Sequence, residues 1–447
     1  MSNRRQRPGF LERCGLHRPE LRAWAMYDWA NSAFVLVIVT TVFPIFYRQV
    51  AAAGLDDIRA TSLFTWTTTA ALAIAAVLSP MLGTLADSLG CKKRMMGGFL
   101  ALGVAATCCM YFIDAGDWPR ALVLFAVGNI AFSLTLVFYD SFLPHIANGE
   151  EIDRVSAAGY GLGYLGSGLL LVLNLWWIRA PASFGIADAG TATRLAFVSA
   201  GLWWAGFSVS FFRRVAEPAR SFRSDEQDAA GVIGVAFRRL LGTLRELRGG
   251  HRQAFLMLVA FLIYNDGIGT IIRMAAIYAS TRGLPQDSVI LAILLVQFVG
   301  VPCAFVFGSM GAWIGAKRAI LIGLVVYIGI SVVAYGMDTI GEFYLLAVMV
   351  ALVQGGTQAL SRSLFASMVP RHKATELFGF FAVFEKLAGI FGPMIFGIML
   401  TVGGTPQRAI LSVIGFFVVG GLLLTRVDVA AGQHQAREAE AAWERGA

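Results

Sequence analysis

The chain has 447 residues, of which 57% are hydrophobic and only 14% are charged, and its mean hydropathy is +0.68. Soluble domains carry about 25% charged residues, so this composition excludes a soluble globular protein and predicts one that crosses a membrane many times. The net charge of +8 does not indicate nucleic-acid binding, because the basic residues cluster in alternate connections between apolar stretches rather than along one surface.

Twelve apolar stretches are long enough to cross a bilayer, since a membrane-spanning helix needs about 20 apolar residues. We place these spans at 22–47, 61–84, 95–113, 120–143, 156–178, 194–212, 253–280, 288–311, 318–336, 342–368, 376–400 and 408–425. The first stretch is too long for a cleavable signal peptide and lacks a small-residue cleavage site, so we expect it to remain as a span.

The positions of Lys and Arg predict the orientation. Basic residues concentrate before the first span, in every second connection and in the tail, whereas the remaining connections hold few. By the positive-inside rule both termini are predicted to be cytoplasmic, with the protein in the cell membrane, which is the inner membrane in a prokaryote. The predicted parts are an N-terminal arm at 1–21, a six-helix half at 22–212, a cytoplasmic central loop at 213–252, a second six-helix half at 253–425 and a cytoplasmic tail at 426–447.

The first span begins with the segment MYDWANSAF at 26–34, which places Asp28, Asn31 and Ser32 on one helix face at i, i+3 and i+4. A carboxylate at the centre of a membrane helix costs about 3 kcal/mol on insertion scales, so such residues usually face a cavity or a partner. Asp28 lies only about 9 Å along the helix from Arg22, at 1.5 Å per residue. We therefore expect Asp28 either in the cavity lining or at an inner gate.

The connection after the second span is repeated after the eighth. The first copy reads GTLADSLGCKKR from Gly83 and the second reads GSMGAWIGAKR from Gly308, and each places two glycines seven apart before a basic pair. Two parallel six-helix halves are the economical explanation, and transporters contain parallel repeats of this kind. Asp87, in the first copy, is expected to act as a conformational latch at a helix end rather than to contact a solute.

The GxLADxxGxKK pattern at 83–93 resembles the cytoplasmic loop signature of the major facilitator superfamily, although Ser88 and Cys91 stand where that family usually has basic residues. The matching residues, which the resemblance assigns to a gating loop, are Gly83, Asp87, Gly90, Lys92, Lys93 and Arg94. The resemblance implies an all-α membrane protein with the major facilitator fold, in which twelve transmembrane helices form two pseudo-symmetric six-helix halves. It also implies transport by alternating access.

A narrower resemblance rests on four segments in both halves. They are MYDWANSAF at 26–34, GYLGSG at 163–168, YNDGIGT at 264–270 and QGGTQALSRSLFASMVP at 354–370. Together they are similar to the vacuole effluxer family, whose fungal members export amino acids from the vacuole after autophagy. This resemblance implies efflux of a small solute.

Polar residues keep to one helical face in five spans. They are Asp28, Asn31 and Ser32 in the first span, Asn129, Ser133 and Asp140 in the fourth, Asp266, Gly269, Thr270 and Arg273 in the seventh, Gln354, Thr357, Gln358, Ser361 and Arg362 in the tenth, and Glu385, Gly389 and Gly392 in the eleventh. The alternative is that such residues hold helices together. We favour that alternative for Ser32, Ser133 and Thr357, and for the small-residue row Gly159, Gly163 and Ser167.

Charged residues inside spans are harder to explain by packing. The seven of them would cost on the order of 20 kcal/mol if they faced lipid, so they must pair, face water or lie near span ends. We expect Asp28, Asp266 and Arg362 to line the transport path, and ion pairs or gates at Asp140 and Lys386. The predicted substrate path comprises Tyr27, Asp28, Asn31, Tyr264, Asn265, Asp266, Arg273, Gln354, Gln358, Arg362 and Glu385.

The predicted function is secondary transport of a small polar solute such as an amino acid. Both charge signs on the path helices suit a zwitterion, and acids outnumber bases there by four to three, so Asp28 or Asp266 is a candidate carrier of a coupling proton. The alternative function is a membrane receptor or scaffold of the same fold that does not transport.

Primary active transport and catalysis lack sequence support. There is no ATP-binding GxxxxGK[ST] motif, the five histidines lie at span ends, in loops or in the tail, and the five cysteines show no CxxC spacing. We therefore expect a protein that is not an enzyme and has no metal, no cofactor and no nucleic-acid partner. We also expect a monomer.

Overall fold

The computed structural model describes residues 9–147, 149, 151–218, 242, 245, 247–281, 285–389, 391–401 and 410–446. All regular structure in these residues is helical, which confirms the predicted all-α class. Most of the predicted central loop, the first residues of the arm and the start of the predicted twelfth span lie outside the described residues.

The first six predicted spans correspond to six long helices. They are α1, which starts as Pro19–Phe34, and then α2 (Asp57–Leu89), α3 (Lys92–Cys109), α4 (Trp118–Ser141), α5 (Ile152–Arg179) and α6 (Ala189–Arg214). The helices extend past the apolar stretches because polar residues form their ends: the Asp56 and Asp188 side chains accept from the Arg59 and Thr191 N–H groups in the first turns of α2 and α6.

The first span continues beyond α1 as far as Ala51, but not as a regular α-helix. Val35–Thr41 and Tyr47–Ala51 are π-helical and flank the α-helical turn Val42–Phe46. Pro44 lacks an N–H and its ring crowds the carbonyl of Thr40, so the usual i→i−4 bond is lost at this point.

The second set of helices repeats the order of the first, with one break. These helices are α7 (Arg252–Thr281), α8 (Gln286–Ile314), α9 (Ala316–Tyr335), α10 (Ile340–Ala366), α11 (Ala374–Leu387), α12 (Phe391–Thr401), α13 (Ile414–Thr425) and α14 (Val429–Gly446). The predicted span at 376–400 consists of two helices, because α11 ends at Leu387 and α12 begins at Phe391. The turn between them holds Gly389, a poor helix former.

Ten helices in the described residues are long and apolar enough to cross a membrane, and α13 with α14, bent by 60°, would make eleven. The broken pair α11 and α12 covers the remaining predicted span. The described helices are therefore consistent with the predicted twelve spans.

The connections after even-numbered spans meet on one face, which we call the terminal face because α14 lies on it. Three contacts establish this: Lys93 Nζ donates to the Val215 carbonyl at 2.7 Å, Lys317 Nζ donates to the Val427 carbonyl at 2.7 Å, and the Arg371 N–H donates to Glu440 Oε1 at 2.8 Å. The predicted tail is thus a helix packed against this face.

The repeated glycine connections both end a helix at a glycine with positive φ. Gly90 ends α2 in the left-handed helical conformation with φ 62° and ψ 41°, and Gly315 ends α8 with φ 89° and ψ 141°, conformations that glycine adopts without strain. Gly83 and Asp87 lie in the last turns of α2, so Asp87 stands at a helix end rather than in the connection that follows. Helix α2 continues for five residues, a little over one turn, beyond the predicted span at 61–84.

Candidate functional site

A buried arginine on α10 joins helices from the two sets. Arg362 is only 4% exposed, and its Nη2 and Nη1 groups lie 3.1 Å from Asp28 Oδ2 on α1 and 3.1 Å from Asp140 Oδ1 on α4. The predicted ion pair of Asp140 is therefore present. One guanidinium serves two carboxyl groups here, which its fork of N–H donors allows and which a lysine could not reproduce.

Two further N–H groups of this arginine bond to α5. Arg362 Nε donates to Ser156 Oγ at 2.9 Å, and Nη2 donates to the Ser156 carbonyl at 2.9 Å. The Ser156 hydroxyl in turn donates to the Ala359 carbonyl of α10 at 2.7 Å. The charge is thus paired and hydrogen-bonded, which is the condition for burying it at tolerable cost.

Three aromatic rings surround the same guanidinium. Arg362 Cζ lies 4.7 Å from the ring centres of Trp24 and Tyr160 and 5.6 Å from that of Tyr139, within the range of cation–π attraction. Trp24 and Tyr139 form two reciprocal hydrogen bonds: the Trp24 Nε1–H donates to the Tyr139 carbonyl and the Tyr139 hydroxyl donates to the Trp24 carbonyl, both at 3.1 Å. We call Trp24, Asp28, Tyr139, Asp140, Ser156 and Tyr160 the cation cage.

Gly159 on α5 lets these groups come together. A Cβ at this position would collide with Asp28 Oδ2 and would lie 3.1 Å from Arg362 Nη2 and 3.2 Å from the Trp24 ring. The interpretation of Gly159 as a packing residue holds, but it packs against the charged site itself.

The cation cage lies close to the terminal face. Arg362 is four residues from the end of α10, about 6 Å at 1.5 Å per residue, and Asp140 is one residue from the end of α4. Of the two positions expected for Asp28, this depth favours the gate.

A second contact between the two sets lies where α2 meets α11. Asp87 is buried, its Oδ1 lies 2.8 Å from Lys92 Nζ, and its Oδ2 accepts from the Glu376 N–H in the first turn of α11 at 2.9 Å. Gly83 leaves no room for a Cβ against the Thr375 carbonyl.

The basic residues after Gly90 have different surroundings. Lys92 is buried, Lys93 bonds to carbonyls at the end of α6 and just beyond it, and Arg94 is exposed. Only Lys92 therefore takes part in the pair with Asp87.

The second glycine copy also mediates a contact between the sets. Gly308 of α8 packs on Ala157 of α5, where a Cβ would not fit. Beside it Asp153 of α5 accepts a hydrogen bond from the Ser363 hydroxyl of α10. The terminal face is thus closed by close packing on two sides, α2 with α11 and α5 with α8 and α10.

Predicted path residues of α7 lie apart from the cation cage and contact their own set of helices. Asp266 is fully buried and its Oδ2 accepts from the Gly392 N–H in the first turn of α12 at 2.8 Å, so it acts as a cap for that helix. Tyr264 shares a hydrogen bond of 2.6 Å with Ser361. Arg273 is exposed, packs against Gly269 and lies 3.4 Å from the Ala388 carbonyl.

The other predicted path residues have varied positions. Asn265, Gln354 and Gln358 are half-buried, and Glu385 pairs with Lys386 at 3.3 Å. Asn31 is buried, and the Tyr27 ring lies among Tyr139, Phe211 and Trp204 in the core of the first helices. The described residues contain no group of three or more His, Cys, Asp or Glu side chains arranged to hold a metal.

Sequence reasoning missed five participants: Trp24, Tyr139, Ser156, Tyr160 and Asp153. The spacing of Trp24 to Asp28 and of Ser156 to Tyr160, four residues in each case, does put each pair on one helix face. Nothing in the sequence, however, singles out these rings among the many aromatic residues of a membrane protein.

Comparison with known proteins places these features in context. The model of the family described as "Vacuole effluxer Atg22 like" matches residues 17–437. The chain is 36% identical over 407 residues to the uncharacterized MFS-type transporter YxiO of Bacillus subtilis, covering 91% of this chain and 94% of YxiO. It is 22% identical to autophagy-related protein 22-1 of Phaeosphaeria nodorum, covering 94% and 91% of the two chains.

Solved structures of the major facilitator superfamily are similar in fold. The proton:xylose symporter XylE superposes with a TM-score of 0.68 at 14% identity, covering 92% of this chain and 95% of XylE. The human organic anion transporter MFSD10 superposes with a TM-score of 0.69 at 12% identity, covering 91% of this chain and 99% of MFSD10. FucP, in an outward conformation, superposes with a TM-score of 0.64 at 12% identity, covering 93% of this chain and 99% of FucP.

Proposed function

The chain belongs to the Atg22-like vacuole effluxer family and has the major facilitator fold, and on that premise we propose that it moves a small polar solute across the membrane by alternating access. Amino acids are the first candidates, since the family resemblance and the two charge signs on the path helices both suit a zwitterion. The proposed direction is efflux. The transporter family also favours this function over an enzyme.

One observation carries the proposal: the contact between the two sets of helices includes a buried charge network and does not consist of apolar packing alone. Arg362 binds Asp28 and Asp140 across the boundary between them. Alternating access requires two discrete arrangements of the halves, and polar contacts that can be exchanged for water or solute suit an interface that opens and closes. The halves at 22–212 and 253–425 are the proposed moving bodies.

The orientation is part of the proposal. The terminal face carries Lys92, Lys93, Lys317 and Arg371, which supports a cytoplasmic position by the positive-inside rule, and the proposed location is the cell membrane. The described arrangement would then be the state closed to the cytoplasm. The proposed substrate path runs from the half-buried Gln354, Gln358 and Asn265 toward the cation cage.

Proton coupling is proposed at Asp28 rather than Asp266. Asp28 bonds to a partner that must leave when the halves separate, whereas Asp266 caps a helix of its own set. A carboxyl group that alternates between a guanidinium partner and a proton would link the two events.

Proteoliposome transport tests both parts. Purified protein should transport at least one labelled amino acid from a panel, and an imposed pH gradient should drive its accumulation. Asp28→Asn should abolish the response to the gradient, whereas Asp117→Asn, which changes an exposed carboxylate paired with Arg120, should retain it. The receptor or scaffold alternative would be favoured if no solute were transported. If transport by both wild type and Asp28→Asn were independent of the pH gradient, the proton role would be excluded.

A further inference from the structure

The cation cage is a complete receptor for a positive charge, and every wall of it comes from the first six helices. Trp24 and Asp28 lie on α1, Tyr139 and Asp140 on α4, and Ser156 and Tyr160 on α5. Only the occupant, the Arg362 guanidinium, comes from the second set.

The cage offers each kind of contact that a buried organic cation needs. Two carboxyl oxygens, a hydroxyl oxygen and a main-chain carbonyl accept its N–H groups at 2.9–3.1 Å, and two ring faces lie at 4.7 Å. The two carboxylates, when ionised, outnumber the single guanidinium. Aromatic faces combined with carboxylates are the usual recognition elements for ammonium and guanidinium groups.

Part of the cage is held in place without Arg362. The reciprocal hydrogen bonds between Trp24 and Tyr139 and the stacking of their rings, 4.5 Å apart, involve only α1 and α4. When α10 moves away, these walls stay formed while the carboxyl groups lose their counter-charge. Two neighbouring carboxylates without a counter-charge repel each other, so a replacement cation stabilises the opened state.

We propose that the cage is the binding site for the amino or guanidino group of the transported solute, and that Arg362 occupies it as a tethered competitor in the closed state. The inference rests on the proposed transport function and names its substrate class, a solute with a protonated amine or guanidine. In efflux the solute would bind the cage while the terminal face is open, and Arg362 would displace it as that face closes, so the exchange of one cation for another links solute release to gate closure.

Binding of a small cation to protein that lacks Arg362 tests this directly. In purified Arg362→Ala, methylguanidinium should fill the vacated space and raise the Tm by several degrees at millimolar concentration, and ethylammonium should act in the same direction. Methylurea, which has a similar shape but no charge, should have no such effect. Adding Asp28→Asn to Arg362→Ala should remove the response.

Two controls keep the outcome decisive. Arg318→Ala removes an arginine near the terminal face outside the cage and should respond to methylguanidinium no more than wild type does. Arg362→Met replaces the alanine variant if that variant does not fold. The proposal would be overturned if methylguanidinium raised the Tm of all variants equally, or if it left the Tm of both Arg362 variants unchanged.

The result can be separated from the proposed function. If wild-type protein transports amino acids but methylguanidinium does not raise the Tm of the Arg362 variants, the cage is rejected as a binding site and the transport function stands. If methylguanidinium raises their Tm but wild-type protein transports nothing, the cation site stands and the transport function is rejected.

Discussion

At the scale of single residues, Arg362 determines how the site can be used. Removing it alone would leave Asp28 and Asp140 buried without their partner, and breaking a buried pair typically costs about 3–5 kcal/mol. Replacing the whole network with apolar groups costs far less in general. The arrangement is therefore poor evidence of a purely stabilising role, and it is better explained by a need to exchange partners.

Gly159 provides a residue-scale prediction. Gly159→Ala should lower stability by about 1–3 kcal/mol, because the added methyl must displace Asp28 from Arg362, even though alanine favours the helix by about 1 kcal/mol. Gly206→Ala on α6, where a Cβ meets nothing within 4 Å, is the matched control and should be neutral or slightly stabilising. Thermal unfolding of the purified variants gives the comparison, and an equal Tm for both would contradict the prediction.

The charged residues of this site were predictable from the sequence, whereas their pairing and the surrounding aromatic rings were not. The cost of burying Asp28, Asp140 and Arg362 in a membrane requires partners, and that argument needs only their position in apolar stretches. It cannot tell which acid meets which base, because that depends on how α1, α4 and α10 cross. The aromatic walls were missed for a related reason, since Tyr160 differs from other aromatic residues only in where its helix places it.

At the scale of elements, the two pieces of the broken span are each capped by a carboxylate from another helix. Asp87 of α2 accepts from the N–H of Glu376 at the start of α11, and Asp266 of α7 accepts from the N–H of Gly392 at the start of α12. A negative group at a helix N-terminus is favourable because of the helix dipole. Only the first of these caps crosses between the two sets, so only it must break when the terminal face opens.

Asp87→Asn should therefore weaken the closed state. The variant loses the ion pair with buried Lys92 and the charge at the α11 N-terminus, for a cost of about 1–3 kcal/mol. The readout is maleimide labelling of Thr375→Cys, a fully buried position beneath Gly83, in protein whose five native cysteines are replaced. Labelling should be several-fold faster in Asp87→Asn than with Asp87 intact.

The exposed pair on the opposite face supplies the control. Asp117→Asn removes the partner of Arg120 and should leave the labelling rate of Thr375→Cys unchanged. Labelling at the same rate in all three backgrounds would show that the α2 cap does not hold the face closed.

Helix placement followed from the sequence to within a few residues, and the exceptions have identifiable causes. Apolar runs mark the membrane core, but α2 and α5 continue past it, because polar contacts of Asp87 and Asp153 on the terminal face support further turns. The local signals for the break between Leu387 and Phe391 are Gly389 and Pro393, which lies in the first turn of α12. What stabilises the break is Asp266, more than 100 residues earlier in the chain, and no local pattern reports such a partner.

At the scale of the whole molecule, the contacts of α2 and α4 with α11 lie at the terminal face, whereas α5 and α8 stay in contact along their length as far as the Arg179–Asp287 ion pair at the opposite end. The nine residues of α11 nearest that face, from Ala374 to Ala382, are all buried, whereas those that follow up to Leu387 are not. The same end of α2 holds six of its nine buried residues, from Ser79 to Asp87. A rocking motion of two rigid halves would therefore separate these surfaces together with the cation cage.

A covalent bridge across this face should stop the cycle. The Thr375 hydroxyl of α11 donates to Ser141 Oγ of α4 at 3.1 Å, so Ser141→Cys with Thr375→Cys in cysteine-free protein should link the two halves by a disulfide or a short bis-methanethiosulfonate. The linked protein should lose solute transport almost completely and regain it with dithiothreitol. Asn174→Cys with Ser199→Cys, at side chains 3.0 Å apart on α5 and α6 of the same proposed half, should tolerate the same treatment. Undiminished transport by the Ser141–Thr375 linked protein would mean that the terminal face need not open, because two halves joined at that face cannot alternate between its closed and open arrangements.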